Sequence, residues 1–241
     1  MSDPARRRTA LITGASRGIG RAVAQHLAGQ GVALTLVARS GDDLAAVAAE
    51  MRSTEVQCVV ADAAQSGSMM TAVDAHVGRY GALDIVVANA GVGRNGKVHR
   101  VTTELLHDLG SVNVSAPFEL AAAALPHLRR TSDQRPGWFI VVASIAGIYP
   151  LPRFAAYSAT KAAAVSLARS IAIEEADNGV RACAICPGFV DTDMASWVDD
   201  GIAMLDVSDV VATVDYLIGL SPAASVTEVI LRRAGAAIGS A

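Results

Sequence analysis

Apolar residues fall into short runs of strand length at residues 9–13, 33–38, 56–60, 84–88, 138–143, 180–185 and 226–231. Between them, apolar positions recur at helical spacing near residues 19–30, 42–52, 65–80, 103–128, 157–177 and 207–220. This alternation predicts βαβ units, whose right-handed crossovers build a parallel sheet. Pro117 and Pro126 remove backbone donors within the 103–128 stretch, so a bend is expected near the first and an end near the second. Residues 92–102, 145–156 and 192–206 lack clear periodicity, and each segment follows a predicted strand. Ligands of a doubly wound sheet bind outside the carboxyl ends of the strands, so these segments are candidate site walls.

The 241 residues are 52% hydrophobic but only 4% aromatic, with Ala and Val abundant. That balance suits small-residue helices covering both faces of a buried parallel sheet. No repeat, low-complexity block or linker divides the chain, so one seven-stranded α/β domain over residues 1–241 is expected. A formal net charge of -3 gives no electrostatic pull toward nucleic acid or an anionic membrane. The Arg6-Arg7-Arg8 run abuts the first strand and reads as a solvated terminus. No apolar run reaches the ~20 residues of a spanning helix and the start lacks a signal-peptide core, so a cytoplasmic protein is expected. Cys58, Cys183 and Cys186 are too few for a disulfide framework. Cys183 and Cys186 have a metal-like spacing but lie in a predicted strand, where such positions point to opposite faces. No metal site is expected.

The first strand runs into Gly14-Ala15-Ser16-Arg17-Gly18-Ile19-Gly20 and then a helix. Glycines there permit a tight turn and close approach of a pyrophosphate to the helix N-terminus. The same residues spell the G-x-S-x-G pattern of a hydrolase elbow, with Ser16 as nucleophile. A hydrolase of that kind needs a late histidine, whereas His26, His76, His99, His107 and His127 all lie in the first 127 residues. The nucleotide reading is therefore favoured. The second strand ends Val37-Ala38-Arg39-Ser40, with no acid placed for a ribose 2′-hydroxyl. Arg39 and Arg17 instead suit a 2′-phosphate, so NADP(H) is expected in preference to NAD(H). Asp62, after the third strand, is a candidate for the adenine edge or for a helix cap.

Tyr157 and Lys161 stand at i and i+4 of a predicted helix and share a face. A neighbouring ammonium is expected to pull the phenol below its ordinary pKa of about 10 and fit it for proton transfer. Ser144 ends the fifth predicted strand, where its hydroxyl is placed to donate to a substrate oxygen. Asn89-Ala90-Gly91 ends the fourth, and Asn113 lies in a helix expected to pack beside it.

In this order the motifs resemble the short-chain dehydrogenase/reductase family over nearly the full length. They comprise Thr13 through Gly20, Asn89-Ala90-Gly91, Asn113, Ser144, Tyr157-Ser-Ala-Thr-Lys161, and Pro187-Gly188 with Thr192. The resemblance implies a Rossmann fold and a tetrad of Asn113, Ser144, Tyr157 and Lys161. It implies that Lys161 holds the nicotinamide ribose, Asn113 anchors a water leading to solvent, and Ser144 orients a carbonyl to which Tyr157 donates. Asn89, Ala90 and Gly91 would support the cofactor, while Pro187, Gly188 and Thr192 would hold its carboxamide. The hydride chemistry belongs to the cofactor.

Two features depart from the family pattern. The end, Ser225 to Gly235, lacks the usual Ile-Thr-Gly start and Asp-Gly-Gly finish, which weakens expectations about oligomer contacts there. The segment after Thr192, residues 193–206, is short for a lid, and its Met194 and Trp197 are candidates to close over a ligand. Val92, Ile148, Leu151, Phe154, Phe189 and Trp197 are the expected pocket walls. The leading expectation is NADPH-dependent reduction of a ketone to a secondary alcohol, similar to the 3-oxoacyl-thioester and general carbonyl reductases. Candidate substrates include carrier- or CoA-linked chains. The alternatives are an oxidative alcohol dehydrogenase and a non-catalytic dinucleotide-binding regulator. A homo-oligomer, dimer or tetramer, is expected through the Ala-rich helices.

Overall fold

The computed structural model describes residues 7–51, 54–130, 135–195 and 203–235. In chain order the first half contains β1 (Thr9–Thr13), α1 (Gly18–Gly29), β2 (Ala33–Ala38), α2 (Gly41–Ala49), β3 (Val56–Val60), α3 (Ser68–Tyr80) and β4 (Ile85–Ala88). Then come α4 (Thr103–Gly110), α5 (Ala116–Leu128), β5 (Gly137–Val142), α6 (Ala155–Glu174), β6 (Val180–Pro187), α7 (Val207–Gly219) and β7 (Glu228–Leu231). The strands form one parallel seven-stranded sheet in the order β3-β2-β1-β4-β5-β6-β7. The order reverses between β1 and β4, which opens a crevice at the carboxyl ends of the strands.

Successive strand residues face opposite layers. Leu11, Val86, Phe139 and Val141 pack with Met69 of α3, Leu120 of α5 and Ala164 and Ile171 of α6. Ile12, Leu36, Val87 and Ile140 pack on the other side with Leu27 of α1, Leu44 of α2 and Leu217 of α7. Helices thus cover both faces of the Rossmann fold. Cys186 belongs to the first layer and Cys183 to the second, as strand geometry requires.

The largest departure from the expected elements lies around Asn113. In place of a bend at Pro117, a π turn at Ser111–Ser115 joins α4 to α5, with the Ala116 N–H donating five residues back to the Ser111 carbonyl. Pro117 has no N–H to return to the Asn113 carbonyl, so the disruption falls upstream of the proline. α5 ends at Leu128, two residues past Pro126 and close to where an end was expected. α6 starts at Ala155, two residues before Tyr157, and ends at Glu174 rather than 177.

Asp84 lies one residue before β4 and anchors neighbouring elements through its carboxylate. It accepts from the Thr9 N–H at 2.8 Å and pairs with Arg130 at 2.9 Å. Fully buried His76 lies close by, with Nδ1 2.8 Å from Thr35 Oγ1 and Nε2 3.2 Å from Thr9 Oγ1 and 3.0 Å from the Ala82 carbonyl oxygen. This polar network locks the amino ends of β1, β2 and β4. Arg7 is not a free arm: it bonds the Gly31 carbonyl and the Thr54 hydroxyl and lies 3.8 Å from Glu55.

Candidate active site

At the carboxyl ends of the strands, two cavities of about 600 and 380 Å³ adjoin. Arg17, Ile19, Asn89, Gly91 and Thr192 line both, so they form one continuous groove.

The smaller part is built on the β1–α1 turn. Gly14 has φ +64, and a Cβ there would come within 2.9 Å of Asn89 Nδ2. A Cβ at Gly20 would run into the Gly14 carbonyl oxygen, so position 20 in the first turn of α1 seats only glycine. Asn89 braces this turn: its Nδ2 donates to the Thr13 and Gly14 carbonyls at 3.0 and 3.1 Å. The Asn89 and Ala90 N–H groups both donate to Thr13 Oγ1 at 3.0 Å. Thr13 is therefore the hub joining β1 to β4, a role not assigned from its place in the motif. Gly14, Ser16, Gly18, Ala90, Arg39 and Asp62 line this part of the groove. Asp62 accepts from the Ala64 N–H at 3.0 Å, so it also caps its own turn. Asp43, in the first turn of α2, is a further wall residue that the sequence did not single out.

Arg39 is exposed at the end of β2. Arg17 reaches across the groove to Asp193, 3.3 Å away, and both side chains are well exposed. An exposed pair of that kind is worth about 0–1 kcal/mol, so an anionic ligand can displace it.

The larger part of the groove holds Ser144, Tyr157 and Lys161. The Ser144 Oγ accepts from the Ala146 N–H at 3.1 Å and is in hydrogen-bond contact with the Tyr157 phenol. Burial holds that phenol above its ordinary pKa, while the Ser144 contact works the other way. This corrects the expectation of a phenol lowered by Lys161. The ammonium donates to the Val142 carbonyl at 3.0 Å and lies 5.9 Å from the Tyr157 ring centre. Burial lowers Lys161 itself to about 8, with Cys186 close enough to oppose that shift.

Asn113 lines neither cavity. Its Oδ1 accepts from the Val92 N–H at 2.9 Å, and its Nδ2 donates to the Val92 carbonyl at 2.9 Å and to Thr160 Oγ1 at 3.1 Å. The side chain expected to anchor a water thus ties the post-β4 loop to α6. A Cβ on Gly91 would come 3.2 Å from Lys161 Nζ and 3.4 Å from Asn113 Oδ1, so the three groups meet.

Pro187, Gly188 and Thr192 line the same part. The Gly188 N–H donates to Leu231 of β7 at 2.9 Å, and Thr192 packs 3.3 Å from the Cβ position of Gly18. Of the expected walls, Val92, Leu151, Phe154 and Phe189 face the cavity. Ile148 instead packs against the core, and Ile145 takes a place in the wall. Met194 also lines the cavity, near Gly93, whereas Trp197 lies outside the described residues.

The groove joins the glycine-rich turn, the exposed cations Arg17 and Arg39, and the Ser144, Tyr157 and Lys161 side chains at its far end. Among the described residues, no group of three or more His, Cys, Asp or Glu could hold a metal.

These features define an oxidoreductase acting on a carbonyl or alcohol, and the short chain dehydrogenase family matches residues 8–202. The chain belongs to that family. It is 34% identical over 196 residues to 2-(R)-hydroxypropyl-CoM dehydrogenase of Xanthobacter autotrophicus, covering 79% of this chain and 77% of that one. It is 35% identical over 199 residues to 3-oxoacyl-(acyl-carrier-protein) reductase of Staphylococcus aureus, with coverages of 80% and 78%. The alcohol dehydrogenase of Thermococcus sibiricus, solved with 5-hydroxy-NADP, superposes with a TM-score of 0.86 at 33% identity, covering 95% of this chain and 97% of that one.

Proposed function

We propose that this chain, acting as one domain, reduces a ketone to a secondary alcohol with NADPH. The observation that carries the reading is the convergence of Ser144, Tyr157 and Lys161 on an apolar-walled cavity continuous with the glycine-loop groove. The bound cofactor would supply the hydride. Ser144 orients the carbonyl, and Tyr157 gives its proton to the developing alkoxide. Burial raises the phenol above its ordinary value and so favours the protonated form that a proton donor needs. Lys161 holds the nicotinamide ribose, and Asn113 keeps Lys161 placed by fixing α6 to the post-β4 loop. Arg39 and Arg17 receive the 2′-phosphate, Arg17 exchanging Asp193 for it.

Assembly as a homo-oligomer in the cytoplasm accompanies this reading. Exposed Leu106, Phe118 and Ile173 on α4, α5 and α6 support self-association. No described helix is long and apolar enough to cross a membrane.

Steady-state rates with NADPH and NADH over 3-oxoacyl thioesters, steroids, sugars and simple ketones test the reading. NADPH should be preferred at least about ten-fold, and Arg39→Gln should remove most of that preference, since charge-assisted hydrogen bonds are worth about 1.5–3 kcal/mol. Equal or better efficiency with NADH overturns the cofactor assignment. Silence across the panel despite tight NADPH binding turns the protein into a binding module.

A further inference from the structure

Two chain segments beside the catalytic cavity carry basic residues and no acid. Residues 85–103 include Arg94, Lys97, His99 and Arg100 but no Asp or Glu. Residues 137–173 include Arg153, Lys161 and Arg169 and again no acid, in a chain whose formal net charge is -3. The two segments are stitched together where Gly96 bridges to Phe154 and the Gly96 N–H donates to the Arg153 carbonyl at 2.6 Å. Arg153 and Lys97 therefore flank one bridge, and Arg94 lies two residues before it.

Arg94 lines the mouth of the cavity and, among the described residues, donates only to the adjacent Gly93 carbonyl, at 2.9 Å. Arg94, Lys97, Arg100 and Arg153 are all exposed, and among the described residues none forms an ion pair. Arginines elsewhere do pair: Arg21 with Glu50, Arg129 with Glu175, Arg130 with Asp84 and Arg169 with Glu228. On the opposite wall, Asp193 pairs with Arg17 and with none of these four cations. Like charges gathered without counter-ions repel one another, and at the rim of a low-dielectric cleft they focus an attractive field for anions.

The interior below this rim is apolar, through Val92, Ile145, Leu151, Phe154 and Phe189. Gly93 packs against the reacting tyrosine, its Cβ position 3.9 Å from Tyr157 Cε2. Arg94 begins one residue farther out, about 3.8 Å along the chain. A ligand with its carbonyl at Ser144 and Tyr157 thus has Arg94 on the loop that packs against the tyrosine.

We propose that this cavity selects carbonyl or alcohol substrates bearing a fixed negative charge, with Arg94 receiving the anion and Lys97 and Arg153 reinforcing it. The anion is either the carboxylate of a short oxo acid or the phosphate of a pantetheine thioester. The inference rests on the carbonyl-reductase reading above and adds the charge of the substrate to it.

Two matched pairs test it on the full chain with NADPH: 3-oxobutanoate against its methyl ester, and 3-oxobutanoyl-CoA against the phosphate-free pantetheine thioester. One charged member should exceed its neutral partner at least about ten-fold in kcat/KM, a preference that shrinks as salt rises. The first pair reads the carboxylate and the second the phosphate. Arg94→Gln should cut the charged-to-neutral ratio about ten-fold, and Lys97→Gln with Arg153→Gln should lower it further. Neutral members used as well in both pairs, or a ratio that the triple variant leaves unchanged, overturns the proposal while sparing the reductase reading. If no ketone turns over, titration of the enzyme–NADPH complex with the same compounds still decides: charge-dependent binding weakened by Arg94→Gln supports the anion site, and its absence ends it.

Discussion

At the amino ends of the strands, buried His76 meets Thr35, Thr9 and the Ala82 carbonyl, while Asp84 holds the Thr9 N–H and Arg130. At the carboxyl ends, buried Lys161 has three N–H donors and, among the described residues, one acceptor, the Val142 carbonyl. Tyr157 there has Ser144, and both stand at a cavity. Both ends bury ionisable groups, and burial shifts His76 and Lys161 alike toward their neutral forms. The difference is unspent hydrogen-bonding capacity facing open space. Polar groups that answer one another fasten the sheet, whereas groups left partly unanswered beside a cavity are available to a ligand.

The largest effect should come from Tyr157→Phe, which keeps the ring and removes the proton. Turnover should fall about a thousand-fold, within the range of general acid catalysis. NADPH affinity, read by fluorescence titration, should stay within about three-fold, because the hydroxyl serves chemistry more than cofactor binding. Retained turnover would remove the chemical half of the comparison.

Asp84→Ala should do the reverse. It leaves the mostly buried Arg130 without its carboxylate and the Thr9 N–H without an acceptor. Breaking a buried pair from one side costs about 3 kcal/mol. Urea unfolding should show that loss, while kcat/KM of the folded fraction stays unchanged. A normal unfolding midpoint with altered kinetics would mean that the two ends are not separate in role.

The layering of the sheet was legible because its strands are apolar on both faces, and the glycine loop because its glycines answer steric demands close in sequence. That Ser144, Tyr157 and Lys161 would come together at one cavity was legible by their order along the chain. The π turn was not: Pro117 announces a missing donor, but whether the helix yields before or after it depends on packing of α4 against α6. Nor did local spacing show Lys161 turning to Val142, or Ile145 rather than Ile148 entering the cavity wall. The Arg17–Asp193 pair joins loops 176 residues apart, a contact that no periodicity encodes. The unpaired cations at the rim were visible as an acid-free stretch, but their isolation needed the fold.

The smallest expected effect tests the amino end by pH. Burial lowers His76 from 6.5 to about 4, with the Ala82 carbonyl and Asp84 opposing the shift and His127 adding to it. The unfolded chain therefore binds a proton at His76 that the folded chain refuses, and stability drops as pH falls from about 6.5 toward 4. Between about pH 7 and pH 5 the loss should be about 2 kcal/mol. Glu175, Glu50 and Asp215 also have lowered values, but from ordinary carboxylate values of 4.5 or 3.8, so their losses fall at lower pH. His76→Gln should start less stable near pH 7 and lose much less by pH 5. Parallel denaturation profiles for the two proteins would show that the network does not hold His76 neutral, and that the amino end is no better satisfied than the carboxyl end.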